Sequence, residues 1–263
     1  MTIFQHKFWG YELTYPDNWT HKTDQDTEGF AASPEALKPD YQGSHAGQVL
    51  VRGEWNSEQQ EIESLWGKHV GKLAIMMGAK NVGAAPWKMA GASGFEVEIV
   101  LPKQDKNRLW VGIISRGLTI LHFMVVHRKE ERDWFEPIAT EIISSLNFIQ
   151  RASGILQDSN GLPLPPGYTP VEPKEVIDDI ANIDQWNAYD GNRGTGELQA
   201  FYLREAPNYG WEMDEFLPYP SSNTEINFAR LSMHQGDQRL TVGILPFGEE
   251  QEDHAKLVVR NME

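Results

Sequence analysis

The chain contains no cysteine, which removes disulfides, thiolate metal sites, cysteine nucleophiles and a lipid-bearing anchor cysteine from consideration. Long apolar runs are missing as well. No stretch approaches the roughly 18 residues needed to cross a bilayer as a helix. The opening residues MTIFQHKFWG have neither the basic start nor the apolar core of an export signal. These absences lead to the expectation of a cytoplasmic protein with no membrane span. Positive charge is scarce: 23 Lys and Arg stand against 38 Asp and Glu, a formal charge of −15. The deficit is uneven, with 15 basic against 19 acidic residues over 1–150 (−4) and 8 against 19 over 151–263 (−11). A field of that sign repels phosphate backbones and anionic lipid, which argues against nucleic acid as a partner. The acidic half is expected to serve as a solubilising surface.

With 263 residues the chain has room for two domains, each able to bury a core without covalent staples. The seam is QRASGILQDSNGLPLPPGYTPVEP, which holds five of the 15 prolines and cannot continue a helix or a central strand. Its two P-x-x-P spacings, Pro163 to Pro166 and Pro170 to Pro173, are read as a stiff connection rather than as polyproline ligands. The expected organisation is a domain over 1–150, a Pro-rich linker over 151–173 and a smaller domain over 174–263.

Before the seam, strand patterns dominate. GYELTY places Tyr11, Leu13 and Tyr15 on one face, and VLVRGEW groups Val49, Val51 and Trp55. FEVEIVL alternates Phe95, Val97, Ile99 and Leu101 with Glu96 and Glu98, as a half-buried antiparallel strand does. RLWVGIIS and LTILHFMVVH join through Arg116-Gly117, a hairpin turn. The second of these strands is apolar on both faces, so it should be central. Two helices should cover the sheet. One is expected from an N-cap at Ser57, with Gln60 three residues on, to a stop at Gly78. The other runs from Asp133 to Leu146 and buries Trp134, Ile138, Ile142 and Leu146. After the seam, TGELQAFYLREAPNYGW predicts a short helix N-capped by Thr195. EINFARLSMH and QRLTVGILPF predict a hairpin across Gly236-Asp237, and HAKLVVR a last strand. Both halves therefore read as α+β: an antiparallel sheet covered by helices, then a smaller unit with antiparallel hairpins.

Chemistry is thinly represented. The eight histidines show no H-x-H, H-x-x-H or H-E-x-x-H spacing. His122 and His127 sit five apart in a strand and so face opposite ways. A composite site from distant histidines has no local support, and neither a metal nor a cofactor is expected. GNRGTG lacks the Lys-Ser/Thr ending of a phosphate loop, and no G-x-S-x-G elbow occurs. Nine tryptophans are many for this length. Trp66, Trp110 and Trp134 fall on expected core faces. Trp9, Trp19, Trp87, Trp186 and Trp211 lie near element ends. Trp19 is read as closing the turn after Pro16, which leaves Trp9, Trp87, Trp186 and Trp211 as candidate contact aromatics.

GYELTYPDNW, the helix after GEW, the central strands and FEPIATEIISSLNF together resemble the PsbP-like fold family. That family includes a photosystem II extrinsic subunit, a Ran-GTPase-binding protein, the DcrB group and secretion-effector chaperones. The second half, notably AFYLREAPNYGWEM, resembles small domains of uncharacterised bacterial proteins. The first resemblance implies a non-catalytic protein that binds or assembles with another protein, and no enzyme. The alternative is a carrier of a small apolar ligand, or a chaperone for apolar peptide segments.

Overall fold

A computed structural model describes residues 1–38, 41–76, 83–100, 107–177, 181–221, 227–247 and 254–262. The chain divides into two compact units, one of Met1–Gln5 with Tyr11–Phe148 and one of His6–Gly10 with Ile149–Glu263. Each is α+β, built on antiparallel sheets.

The first unit contains β1 (Thr2–His6), β2 (Tyr11–Tyr15), β3 (Thr20–Asp24), β4 (Thr27–Ala31), β5 (Gln48–Trp55), α1 (Ile62–Met76), β6 (Ala85–Met89), β7 (Ala92–Val100), β8 (Asn107–Arg116), β9 (Thr119–Arg128), α2 (Arg132–Ser144) and β10 (Asn147–Phe148). Seven strands form one sheet in the order β3-β4-β5-β9-β8-β7-β6, antiparallel throughout. β9, whose apolar residues fill both faces, takes the centre. Gly117 turns between β8 and β9 with φ +59°, where a side chain would be strained. β1, β2 and β10 make a smaller sheet.

The pleat sends even and odd positions of β9 to opposite faces. On one face α1 packs Leu65 against Ile113 and Ile120, and Val70 against Leu109 and Val111. On the other, the His127 ring lies 5.4 Å from Phe135 of α2, and Trp19 stacks on Phe135 at 5.8 Å.

Both helices depart locally from their expected ends. Ser57 does not cap α1. Asn56 does the bonding one turn ahead of it: its Oδ1 accepts from the Gln60 amide and its Nδ2 donates to the Gln60 carbonyl, each at 2.9 Å. The expected stop at Gly78 lies outside the described residues. α2 follows a short 3₁₀ turn, Lys129–Glu131, so Asp133 falls inside the first turn rather than at the cap. Its buried face is Phe135, Ala139, Ile142 and Ile143, while Trp134 and Ile138 are half-buried. The stripe is thus turned by one position, because Phe135 fills the space beside Trp19.

The second unit holds β11 (Leu156–Gln157), β12 (Pro163–Leu164), β13 (Thr169–Val171), β14 (Trp186–Asp190), α3 (Thr195–Asn208), β15 (Glu212–Leu217), β16 (Ala229–Gln235), β17 (Gln238–Pro246) and β18 (Ala255–Met262). Its main sheet runs β13-β14-β18-β17-β16-β15. α3 buries Leu198, Phe201, Tyr202 and Ala206 among Leu231, Met233, Leu240, Val242, Leu257 and Val259. From the proline-rich stretch, Leu162 and Tyr168 join this core. Gly194, not Thr195, is the N-cap of α3; its amide donates to Glu197 Oε2 at 3.2 Å. A buried carboxylate thus occupies the place where a phosphate would meet GNRGTG.

Candidate functional site

Among the described residues, tertiary structure brings together Glu54, His69 and His122, a polar cluster that no local spacing announces. β5 and β9 pair so that Arg52 opposes His122 and Glu54 opposes Ile120. Arg52, Glu54 and His122 therefore share the face that α1 covers. Leu65 and Val70 fix α1 over β8 and β9. His69, four residues after Leu65, stands on the helix flank above Glu54. Glu54 Oε2 lies 2.8 Å from His122 Nε2, and Glu54 Oε1 lies 3.3 Å from His69 Nε2. The two imidazole rings meet edge to face, with centroids 4.8 Å apart. His69 Nε2 is buried and makes no well-aligned hydrogen bond, so its approach to Glu54 is an electrostatic contact rather than a directed bond. Arg52 donates from Nη2 to Glu54 Oε2 at 3.2 Å, and its Nη1 lies 3.7 Å from Asp26.

All three side chains are between about a sixth and a quarter exposed, so the cluster opens to water at the rim of the helix. Burial opposes ionisation of Glu54, but the imidazoles of His122 and His69 beside it prevail and hold the carboxyl well below its usual range. His122 is displaced downward, first by burial and also by the charges of His69 and Arg52, against the pull of Glu54. An ionised carboxylate and a neutral imidazole are the forms that donate lone pairs. Chemically the arrangement can share protons between two imidazoles, or it can offer three donors to one cation. The three donor atoms lie within 4.8 Å of one another.

The other histidine contacts are different in kind. His21 meets Glu28 at 2.5 Å, His127 meets Glu136 at 3.3 Å and His254 meets Asp190 at 3.0 Å. His6 lies 3.8 Å from Glu197, and His234 lies 2.8 Å from Asp214. In these pairs a carboxylate serves one imidazole, whereas Glu54 serves two. As expected, His122 and His127 face opposite sides of their strand.

The four candidate contact tryptophans occupy different environments. Trp87 is buried, edge-on to Trp110 and Phe123 at 5.3 Å each. Gly112 makes room for it, since a Cβ there would come within 2.7 Å of the Trp87 ring. Trp211 is buried and donates from Nε1 to the Gly161 carbonyl at 3.2 Å. Trp9 is buried as well, its amide donating to His6 Nδ1 at 3.1 Å. Trp186 is half-buried, with the Arg260 guanidinium 5.5 Å from its ring centroid. An open depression of about 460 Å³ lies over α2, lined by Arg132, Asp133, Glu136, Pro137 and Thr140. Its lining side chains are charged or polar apart from Pro137.

No protein-family model and no curated protein matches the chain. Several solved structures do. Part of the chain is similar to a PsbP. That structure, cyanobacterial PsbP from Synechocystis, shares 10% identity over 56% of this chain and 91% of its own, with a TM-score of 0.42. The Ran-binding protein Mog1p of Saccharomyces cerevisiae shares 10% over 56% and 95%, with a TM-score of 0.39. LpqN of Mycobacterium tuberculosis, involved in cell envelope biogenesis, shares 12% over 53% and 83%, with a TM-score of 0.37. The first two belong to the fold family that GYELTYPDNW and FEPIATEIISSLNF resemble. No residue role is carried across from any of them. Among the described residues no helix is long and apolar enough to cross a membrane.

Proposed function

We propose that this chain is a non-catalytic binding or assembly protein that contacts another protein through the outer face of its six-stranded sheet. The observation that carries this reading is the pairing of Trp186 with Arg260. These residues sit directly opposite each other on β14 and β18, with the guanidinium over the indole. Leu257 and Val259 of β18 point into the core beneath α3, so Arg260 and Met262 point the other way. Met262 is exposed. On the same face Ala188 and Val258 are buried, so Trp186, Arg260 and Met262 form the accessible margin of a face whose middle is closed. Tryptophan and arginine are the side chains most often found at the energetic centre of protein interfaces, because each combines broad apolar area with a polar handle. The partner surface suited to them is an apolar pocket rimmed by carboxylates.

A non-catalytic role also agrees with the internal contacts. Thr23 Oγ1 donates to Glu28 Oε2 at 2.8 Å and not to His21, so that trio lacks the order of nucleophile, base and carboxylate that activates a hydroxyl.

The test is a photo-crosslinking residue at position 262, exposed on the same face as Arg260, with Trp186 kept, expressed in the source cells. A recurrent adduct with one protein is expected, and it should vanish in Arg260→Glu. A folded variant that crosslinks to no protein would remove the reading.

A further inference from the structure

Glu54, His69 and His122 have a use that protein contact does not require. We propose that they form a binding site for a divalent transition-metal ion of the zinc class, bridging β5, β9 and α1. The donor set decides the class. Two imidazole nitrogens with one carboxylate oxygen suit zinc and its neighbours, whereas magnesium and calcium take mostly oxygen.

Geometry supports the same ion. Ligands about 2.0–2.2 Å from a tetrahedral zinc stand roughly 3.3 Å from one another. Glu54 meets His122 through Oε2 at 2.8 Å and His69 through Oε1 at 3.3 Å, so each carboxylate oxygen faces one imidazole at close to that spacing. All three atoms lie within 4.8 Å of one another, so a modest side-chain rotation of His69 or His122 closes the third edge. His69 Nε2, already buried without an aligned hydrogen bond, gains a bonding partner in the ion. Three protein ligands leave a fourth coordination position for water.

Arg52 is the opposing feature. Its guanidinium bonds the oxygen of Glu54 that also faces His122, and a cation there competes with a metal ion. Asp26, 3.7 Å from Nη1, gives it an alternative partner outside the cluster. Arg52 is therefore a residue that weakens metal binding and not a ligand.

The experiment uses the full chain, stripped with chelator and titrated with Co²⁺ and then Zn²⁺. One Co²⁺ per chain is expected, with the intense visible absorption of four- or five-coordinate cobalt, displaced by Zn²⁺. Zn²⁺ should also raise the melting temperature, because the ion binds only where the three elements are assembled. Loss of a partner outside the ligand shell typically weakens a metal site 10–100-fold, and Glu54→Gln, His69→Gln and His122→Gln should each weaken it at least that much. Arg52→Gln should tighten binding. His69 is on the helix flank, so His69→Gln remains informative if the strand variants fail to fold. Binding unchanged in His69→Gln, or cobalt that keeps the pale octahedral spectrum of the aqueous ion, would overturn the proposal. So would metal binding indifferent to Arg52→Gln.

Discussion

Glu54 Oε2 and His122 Nε2 approach to 2.8 Å although 68 residues separate them in the chain. Their contact exists because β5 pairs with β9 in one register. A slip of one residue would send the two side chains to opposite faces. In chelator-treated protein this pair should show a coupling energy of about 0.5–1 kcal/mol. The figure is held to that range because both groups are partly hydrated. A double-mutant cycle of Glu54→Gln and His122→Gln in urea measures it, and strict additivity would refute direct coupling.

Trp19 lies almost parallel to Phe135, with an interplanar angle of 11°, and only 7% of its surface is exposed. Removing the indole leaves a void between β2, β3 and α2 that neighbouring rings cannot close. Trp19→Ala should cost about 3–5 kcal/mol in unfolding free energy. Trp19→Phe should recover part of that loss. An Ala variant with an unchanged denaturation midpoint would place Trp19 outside the core's energetics.

Gly94 stands on β7 where β8 comes closest. A Cβ there would lie 1.8 Å from the Ile113 carbonyl oxygen and 2.8 Å from the Ile114 Cα. The obstacle is backbone, which cannot rotate aside as a side chain can. Gly94→Ala should destabilise the protein by about 3 kcal/mol or more, the upper end of overpacking effects. Gly67 on α1, where an added Cβ meets nothing within 4 Å, is the control. Gly67→Ala should stabilise by up to about 1 kcal/mol through helix propensity. Equal effects at the two sites would contradict the packing described.

Alkali should unfold the second unit. Burial pushes the phenols of Tyr168, Tyr189 and Tyr202 well above the ordinary value of 10.0, and the charge of Asp158 reinforces the shift at Tyr189 and Tyr202. A group whose native pKa exceeds its unfolded one keeps its proton in the folded state where the unfolded chain releases it. The stability it contributes is complete below about pH 10 and declines as pH rises toward the native value. Urea midpoints should therefore fall progressively above about pH 10, and less steeply in Tyr189→Phe. A flat profile to about pH 11.5 would show that these hydroxyls already titrate in the native state.

The residues themselves determined a good deal. Alternation in 11–15, 49–55 and 95–99 marks strands because side chains change face at every residue. Gly117 and Gly236 mark hairpins because both need positive φ, +59° and +60°. The apolar run of β9 announced a central strand because a sheet's middle is covered on both sides. What these signals share is locality, a period of 2 or 3.6 within one element. Short edge strands escape such a test: THKTD of β3 and APWKM of β6 have no clean alternation and pair on one side only. The buried face of α2 also escaped, since Trp134 and Phe135 are equally apolar. Only the cavity beside Trp19 chooses Phe135. The cluster at positions 54, 69 and 122 has no period at all. Strand pairing brings Glu54 to His122, and the packing of Leu65 and Val70 sets His69 above them. That juxtaposition belongs to the tertiary structure alone, because it depends on register and helix placement, which no single segment of the chain contains.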